Sequence, residues 1–163
     1  MQNAFLKEPG RAGVFGALMD EYARAAEDFC RVIEAMPPER FLADPAADPR
    51  GFSPRVMCAH AIAAGHRYSD YIRKARGMEF VERYELDPEQ LQSPSEVRPR
   101  LREVFAYTED SLAGLQGLPE EEVARITFQV RWGPTYDPEM ILEHAIVHLL
   151  RHRRQVERWL AGL

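Results

Sequence analysis

Proline sits at the edge of every long stretch of this chain in which apolar residues recur at each third or fourth position, and that punctuation constrains the fold more than any other feature. The first such stretch runs from about Arg11 to Met36. There Val14, Leu18, Tyr22, Ala25, Phe29, Val32, Ile33 and Met36 share one side of a helix, and Pro37-Pro38 ends the pattern. The second opens at Ser53-Pro54, a side-chain cap followed by proline at the first helical position. It continues through Val56, His60, Ala63, Ala64 and Tyr71 to about Arg76, where Gly77 supplies a stop. The third covers roughly Ser95 to Gln116, with Leu101, Val104, Phe105, Leu112 and Leu115 facing inward, Pro99 in its first turn, and Gly117 and Pro119 closing it. The fourth starts near Asp137-Pro138, a second cap-plus-proline pair, and reaches about Leu160.

The connections are equally informative. Glu39 to Phe52 is rich in Pro, Asp and Ala and reads as a loop. Residues 78–94, with Pro88 and Pro94, form a crossover long enough to join parallel neighbours as well as antiparallel ones. Between Ala124 and Asp137, Ile126, Phe128 and Val130 alternate with Thr127, Gln129 and Arg131, which predicts an extended segment or short strand ended by Trp132-Gly133-Pro134. The expected fold is all-α: a four-helix bundle with a long crossover connection and a short extended segment before the last helix, forming one domain over residues 1–163. A chain of 163 residues can bury a core without disulfide staples.

Charge narrows the partners. A net charge of −5 gives no electrostatic footprint for nucleic acid. The one basic run, Arg151 to Arg154, lies inside an apolar-periodic helix and reads as a solvated edge. Cys30 and Cys58 lack CxxC spacing, so two free thiols in a reducing compartment are expected. Met1 to Gly10 has no continuous apolar core, and no stretch approaches the roughly 18 apolar residues of a membrane span. A cytoplasmic protein with no membrane partner is the expectation.

The last helix carries a histidine ladder, His144, His148 and His152, and the second helix carries His60 and His66. Residues four apart in an α-helix differ by about 40° around the axis and about 6 Å along it, so two imidazoles at that spacing can converge on one ion. His144 and His152 are about 12 Å apart in rise and cannot easily share one. One metal ion must therefore use His148 with one neighbour, and a third ligand from another helix. His60, on the stripe between Val56 and Ala63, is the better partner; His66 lies about 120° away beside Arg73 and is expected to see solvent. If the second and fourth helices are antiparallel, His60 is level with His148 and His152; if parallel, with His144 and His148. Three neutral histidines leave a tetrahedral ion one open position for water or substrate.

The capped helix Ser53-Pro54-Arg55-Val56-Met57-Cys58-Ala59-His60 and the stretch Glu143 to Gln155, containing His148-x-x-x-His152-x-x-Gln155, resemble the DinB/YfiT-like superfamily. The opening helix, with Phe15-Gly16-Ala17-Leu18 and Asp20-Glu21-Tyr22, also suits it. The resemblance implies a divalent metal, zinc or nickel, held by His60, His148 and His152, with Gln155 at the family's usual spacing and His144 as a supporting neighbour, pocket wall or alternative ligand. It also implies a homodimer and a metal-dependent enzyme acting on a small-molecule substrate. That enzyme would be a transferase activating a low-molecular-weight thiol such as bacillithiol, mycothiol or glutathione, or a hydrolase. The alternative class is a non-enzymatic, stress-related bundle that binds a metal or ligand; a structural bundle with vestigial histidines is a third reading. Around the site, Glu143 is a candidate base or a solvated helix-start charge, and Tyr68 a ligand-orienting or core residue. Trp132 and Tyr136 either line a pocket mouth or pack over the bundle end. Cys58, about 160° from His60 on its helix, is counted as neither ligand nor nucleophile.

Overall fold

In the computed structural model, residues 5–49 and 51–163 are described; residues 1–4 of the N-terminal stretch and Arg50 of the first connection lie outside them. Long helices form where the sequence period predicts them: α1 (Val14–Glu34), α3 (Pro54–Ala75), α4 (Val97–Ser111) and α6 (Pro138–Leu160). Single helical turns, α2 (Pro38–Phe41) and α5 (Glu120–Val123), interrupt the connections. The Ser53 hydroxyl accepts from the Val56 amide at 3.4 Å and the Asp137 carboxylate from the Met140 amide at 2.9 Å, so both cap-plus-proline pairs act as N-termini. α4 is shorter than its apolar pattern. A 3-10 turn at Pro94–Glu96 precedes it, and Gly114, with φ 82°, turns the chain into another at Leu115–Gly117.

Side-chain contacts fix the helix directions. His60 meets His152 and Tyr68 meets His144, so α3 and α6 are antiparallel. Ser69 pairs with Thr108 at 2.8 Å and Arg73 with Ser111 at 2.8 Å, so α3 and α4 run parallel. Arg98 of α4 forks onto Glu27 and Glu34 of α1 while Tyr22 packs on Phe105, which makes α1 antiparallel to α4 and therefore parallel to α6. The core between them is apolar and closely packed, with Phe29, Ile33, Phe105, Leu101, Ile141 and Leu149 sealed from solvent. A Cβ at Gly65 would lie 2.5 Å from the Val104 side chain, so glycine is what lets α3 and α4 approach there. No helix among the described residues is long and apolar enough to cross a membrane.

Two irregular segments lean on α3 and shape the site. The crossover between α3 and α4 is strapped along α3 by three side chains. Arg73 donates to the Glu79 carbonyl at 2.8 Å, Asp70 accepts from the Glu82 amide at 3.0 Å, and Arg67 donates to the Tyr84 carbonyl at 3.1 Å. The extended segment forms a hairpin, β1 (Phe128–Gln129) antiparallel to β2 (Thr135–Tyr136), with Gly133 at φ 119° in its tip.

Four expectations are corrected. Val14 is exposed rather than core, because α1 begins there at the bundle rim. Val56 and His60 do not lie on the buried stripe of α3 but beside it, facing an open cleft. His66 is buried, not solvated, because its side of α3 faces α4, where its ring packs on Tyr107 at 5.5 Å. The Glu39–Phe52 connection is not wholly loop, since it begins within α2 and contains a 3-10 turn at Pro45–Ala47.

Candidate metal centre

Antiparallel packing of α3 on α6 brings together three of the five histidines. His148 Nε2 lies 3.0 Å from His60 Nε2 and 3.1 Å from His152 Nε2, and the ligating atoms of the three are all within 4.8 Å of one another. Two nitrogens each about 2.0–2.1 Å from a shared ion are about 2.9–3.4 Å apart for bond angles between square and tetrahedral. The two short spacings fall in that range and the third lies within 4.8 Å, so the donor set suits a divalent metal ion. Gln155 completes the arrangement: its Oε1 accepts from His152 Nδ1 at 2.7 Å, which fixes that proton on Nδ1 and leaves the lone pair on Nε2.

Electrostatics keep the cluster in its metal-competent form. Burial pushes His148 down to about 3, helped by His152, His60 and His144 beside it. Burial likewise brings His152 down to about 4, against the opposing hydrogen bond it donates to Gln155. His60 is lowered by burial and then by the Arg67, Arg151 and Arg131 guanidiniums. Neutral imidazoles at neutral pH are what a cation requires.

The centre opens sideways into a cleft of about 770 Å³. Its floor is α3, and α6 contributes His144 and His148. One lip is the strap from Tyr84 to Pro88 and the other is the hairpin tip, Arg131 and Trp132. His144 is not in the convergent trio; its ring stacks on Trp132 at 4.5 Å and so forms pocket wall. Tyr68 is buried and places ring edges against both His144 and His148. Trp132 is at the pocket mouth, 40% exposed, and Tyr136 packs behind it. Glu143 lies on the exposed side of α6 and is not part of the cleft wall. Cys58 is fully buried, its thiol pushed well above its ordinary range by burial.

The sequence marks the crossover of residues 78–94 but not its part in the site, nor that of Arg67 and Arg131. Arg67 follows His60 by seven residues, two helical turns, and so carried a signal for the same wall. The strap carried none, because its irregular backbone has no period to read.

Residues 17–156 match the family model described as the DinB superfamily, a span that includes every histidine of the cluster. The chain belongs to the DinB superfamily. No curated protein and no solved structure matches it. As a DinB-superfamily chain it has the helical bundle and a three-histidine cluster suited to holding a divalent metal.

Proposed function

We propose that this DinB-superfamily protein is a metal-dependent transferase that activates a low-molecular-weight thiol, with His60, His148 and His152 holding zinc or nickel. The observation that carries the reading is the convergence of three neutral Nε2 atoms at the wall of an open cleft, which leaves one side of the centre free for a ligand. A divalent ion there supplies Lewis acidity and lowers the pKa of a thiol at its open position. Hydrolysis by a metal-activated water is the second reading, since the carboxylates Glu85 and Asp87 line the same cleft as His60 and His148. The acidified thiol releases its proton to solvent at the cleft mouth.

The protein's own groups do the remaining work. Gln155 holds the His152 ring by its outer nitrogen, Tyr68 and Trp132 form an apolar wall beside the cluster, and the strap covers the cleft opposite the hairpin. The incoming sulfur forms its bond to an electrophilic carbon as the bond to the leaving group breaks, and the leaving group departs with the electron pair. Metal content of protein purified without an affinity tag, with turnover of thiol-plus-electrophile pairs, tests this. Stoichiometric metal and activity are expected, both lost in His148→Ala. Activity indifferent to that substitution would overturn the proposal.

A further inference from the structure

The cleft has a wall that the three histidines leave unused. At the hairpin tip, Arg131 and Trp132 stand side by side and both line the cleft. The tip is held rigidly: the Arg131 amide donates to the Tyr71 hydroxyl at 2.9 Å, Phe128 stacks on the Tyr71 ring at 5.5 Å and 8°, and Val130 is buried. One face of the indole is covered by His144, its plane tilted 20° from that ring. Tyr68, Tyr71 and Tyr136 meet it edge-on. Trp132 is nonetheless 40% exposed, so an apolar surface is pre-positioned toward the cleft at no further ordering cost.

Charge is segregated across the same opening. The Arg131 guanidinium has no hydrogen-bond or ion-pair partner among the described residues. Arg67, on the floor, is already committed to the Tyr84 carbonyl and lies over the Tyr84 ring at 5.1 Å. The cleft's carboxylates, Glu85 and Asp87, sit on the strap, the opposite lip. Arg131 therefore presents an uncommitted positive charge beside the exposed Trp132 indole, on the hairpin side of the cleft.

We infer that the cleft binds a planar aromatic molecule bearing a carboxylate or similar anion, its ring against Trp132 and its anion on Arg131. Its role as the electrophilic co-substrate rests on the transferase reading above; its binding does not. An ordinary surface arginine and a packing tryptophan would show neither ring preference nor charge preference, which makes the two cases separable.

The test is calorimetric titration of the full chain, both stripped of metal and loaded with zinc, with 1-naphthoate, its neutral isostere 1-naphthamide, and cyclohexanecarboxylate. The metal-free protein is expected to bind naphthoate about tenfold tighter than naphthamide, the scale of one charge-assisted contact. Arg131→Gln should erase that ratio without changing naphthamide affinity. Trp132→Ala should weaken both naphthyl ligands about tenfold and leave cyclohexanecarboxylate unmoved, with Trp132→Phe retaining part of the binding. Circular dichroism of each variant establishes that it is folded. Equal affinity for naphthoate and naphthamide, a charge preference that survives Arg131→Gln, or no binding of either naphthyl ligand would overturn the inference. Naphthoate binding without thiol transfer would sink the proposed function and leave this subsite standing; transfer without naphthoate binding would do the reverse.

Discussion

Helix α3 carries two polar clusters, and they are built on opposite logic. Toward α4, Asp70, Arg73, Ser69 and their partners Tyr107, Thr108, Ser111 and Asp110 are matched donor to acceptor. The Arg73 guanidinium reaches a hydroxyl, a carbonyl and a carboxylate, and Asp70 accepts from a phenol and an amide. Toward α6, three Nε2 atoms converge with no complementary set of donors. His152 offers a lone pair there, and a single proton on His148 can satisfy only one of its two short contacts. A closed network of matched groups rigidifies a bundle; a convergence of like acceptors is resolved by a cation. The first cluster is architecture and the second is suited to holding a cation, about three turns apart on one helix.

That contrast can be broken by mutation. The largest expected effect on stability is Arg73→Ala, which takes a donor from the buried Ser111 hydroxyl and releases the strap, and should cost about 2 kcal/mol in denaturant unfolding. Zinc affinity measured on the folded variant should stay within about twofold, since α3–α6 packing is untouched; a tenfold loss would mean the two clusters are coupled. Gln155→Leu should act on the other cluster alone. Freeing the outer nitrogen of His152 is expected to weaken zinc about 10- to 100-fold by competition titration, with little change in melting temperature. Unaltered affinity would show that Gln155 does not orient the ligand.

The smallest effect is on pH dependence of the metal-free protein. His148 and His152 titrate in the folded state at about 3 and about 4, whereas unfolded histidine takes up its proton near 6.5. As pH falls through about 6.5 the unfolded chain binds protons the folded chain refuses, so stability declines from pH 7 toward pH 5. Thermal melts of His148→Gln should show a shallower decline over that window. An unchanged slope would mean that His148 is not the group held neutral by the fold.

Much of this was legible in the sequence because caps and period are local. Ser53-Pro54 and Asp137-Pro138 mark helix starts through bonds to amides three residues on, and the HxxxH spacing needs only helical geometry. The choice of His148 and His152 over His144 as mates of His60 needed the relative direction of α3 and α6, a tertiary fact. The face of α3 was misread because alanines at 59, 61, 63 and 64 make it look apolar nearly all round. The same ambiguity hid His66 and Arg73, whose side of the helix is covered by α4. One-turn helices such as α5 have no period to detect, and the strap's path is dictated by side chains far from it in sequence.

The parallel arrangement of α3 and α4 has a cost in chain length that the molecule turns to use. To start α4 beside the start of α3, the chain must travel back along a helix of 22 residues, about 33 Å at the usual rise. The segment from Arg76 to Glu96 could reach about 70 Å if stretched. The surplus is slack, and its stretch from Tyr84 to Pro88 forms one lip of the cleft that His60 and His148 line. Only Leu91 of the stretch from Met78 to Gln92 is buried in the core. This lip can therefore be rewritten residue by residue while the bundle keeps its packing, which makes it the natural place for members built on this scaffold to diverge in what they admit.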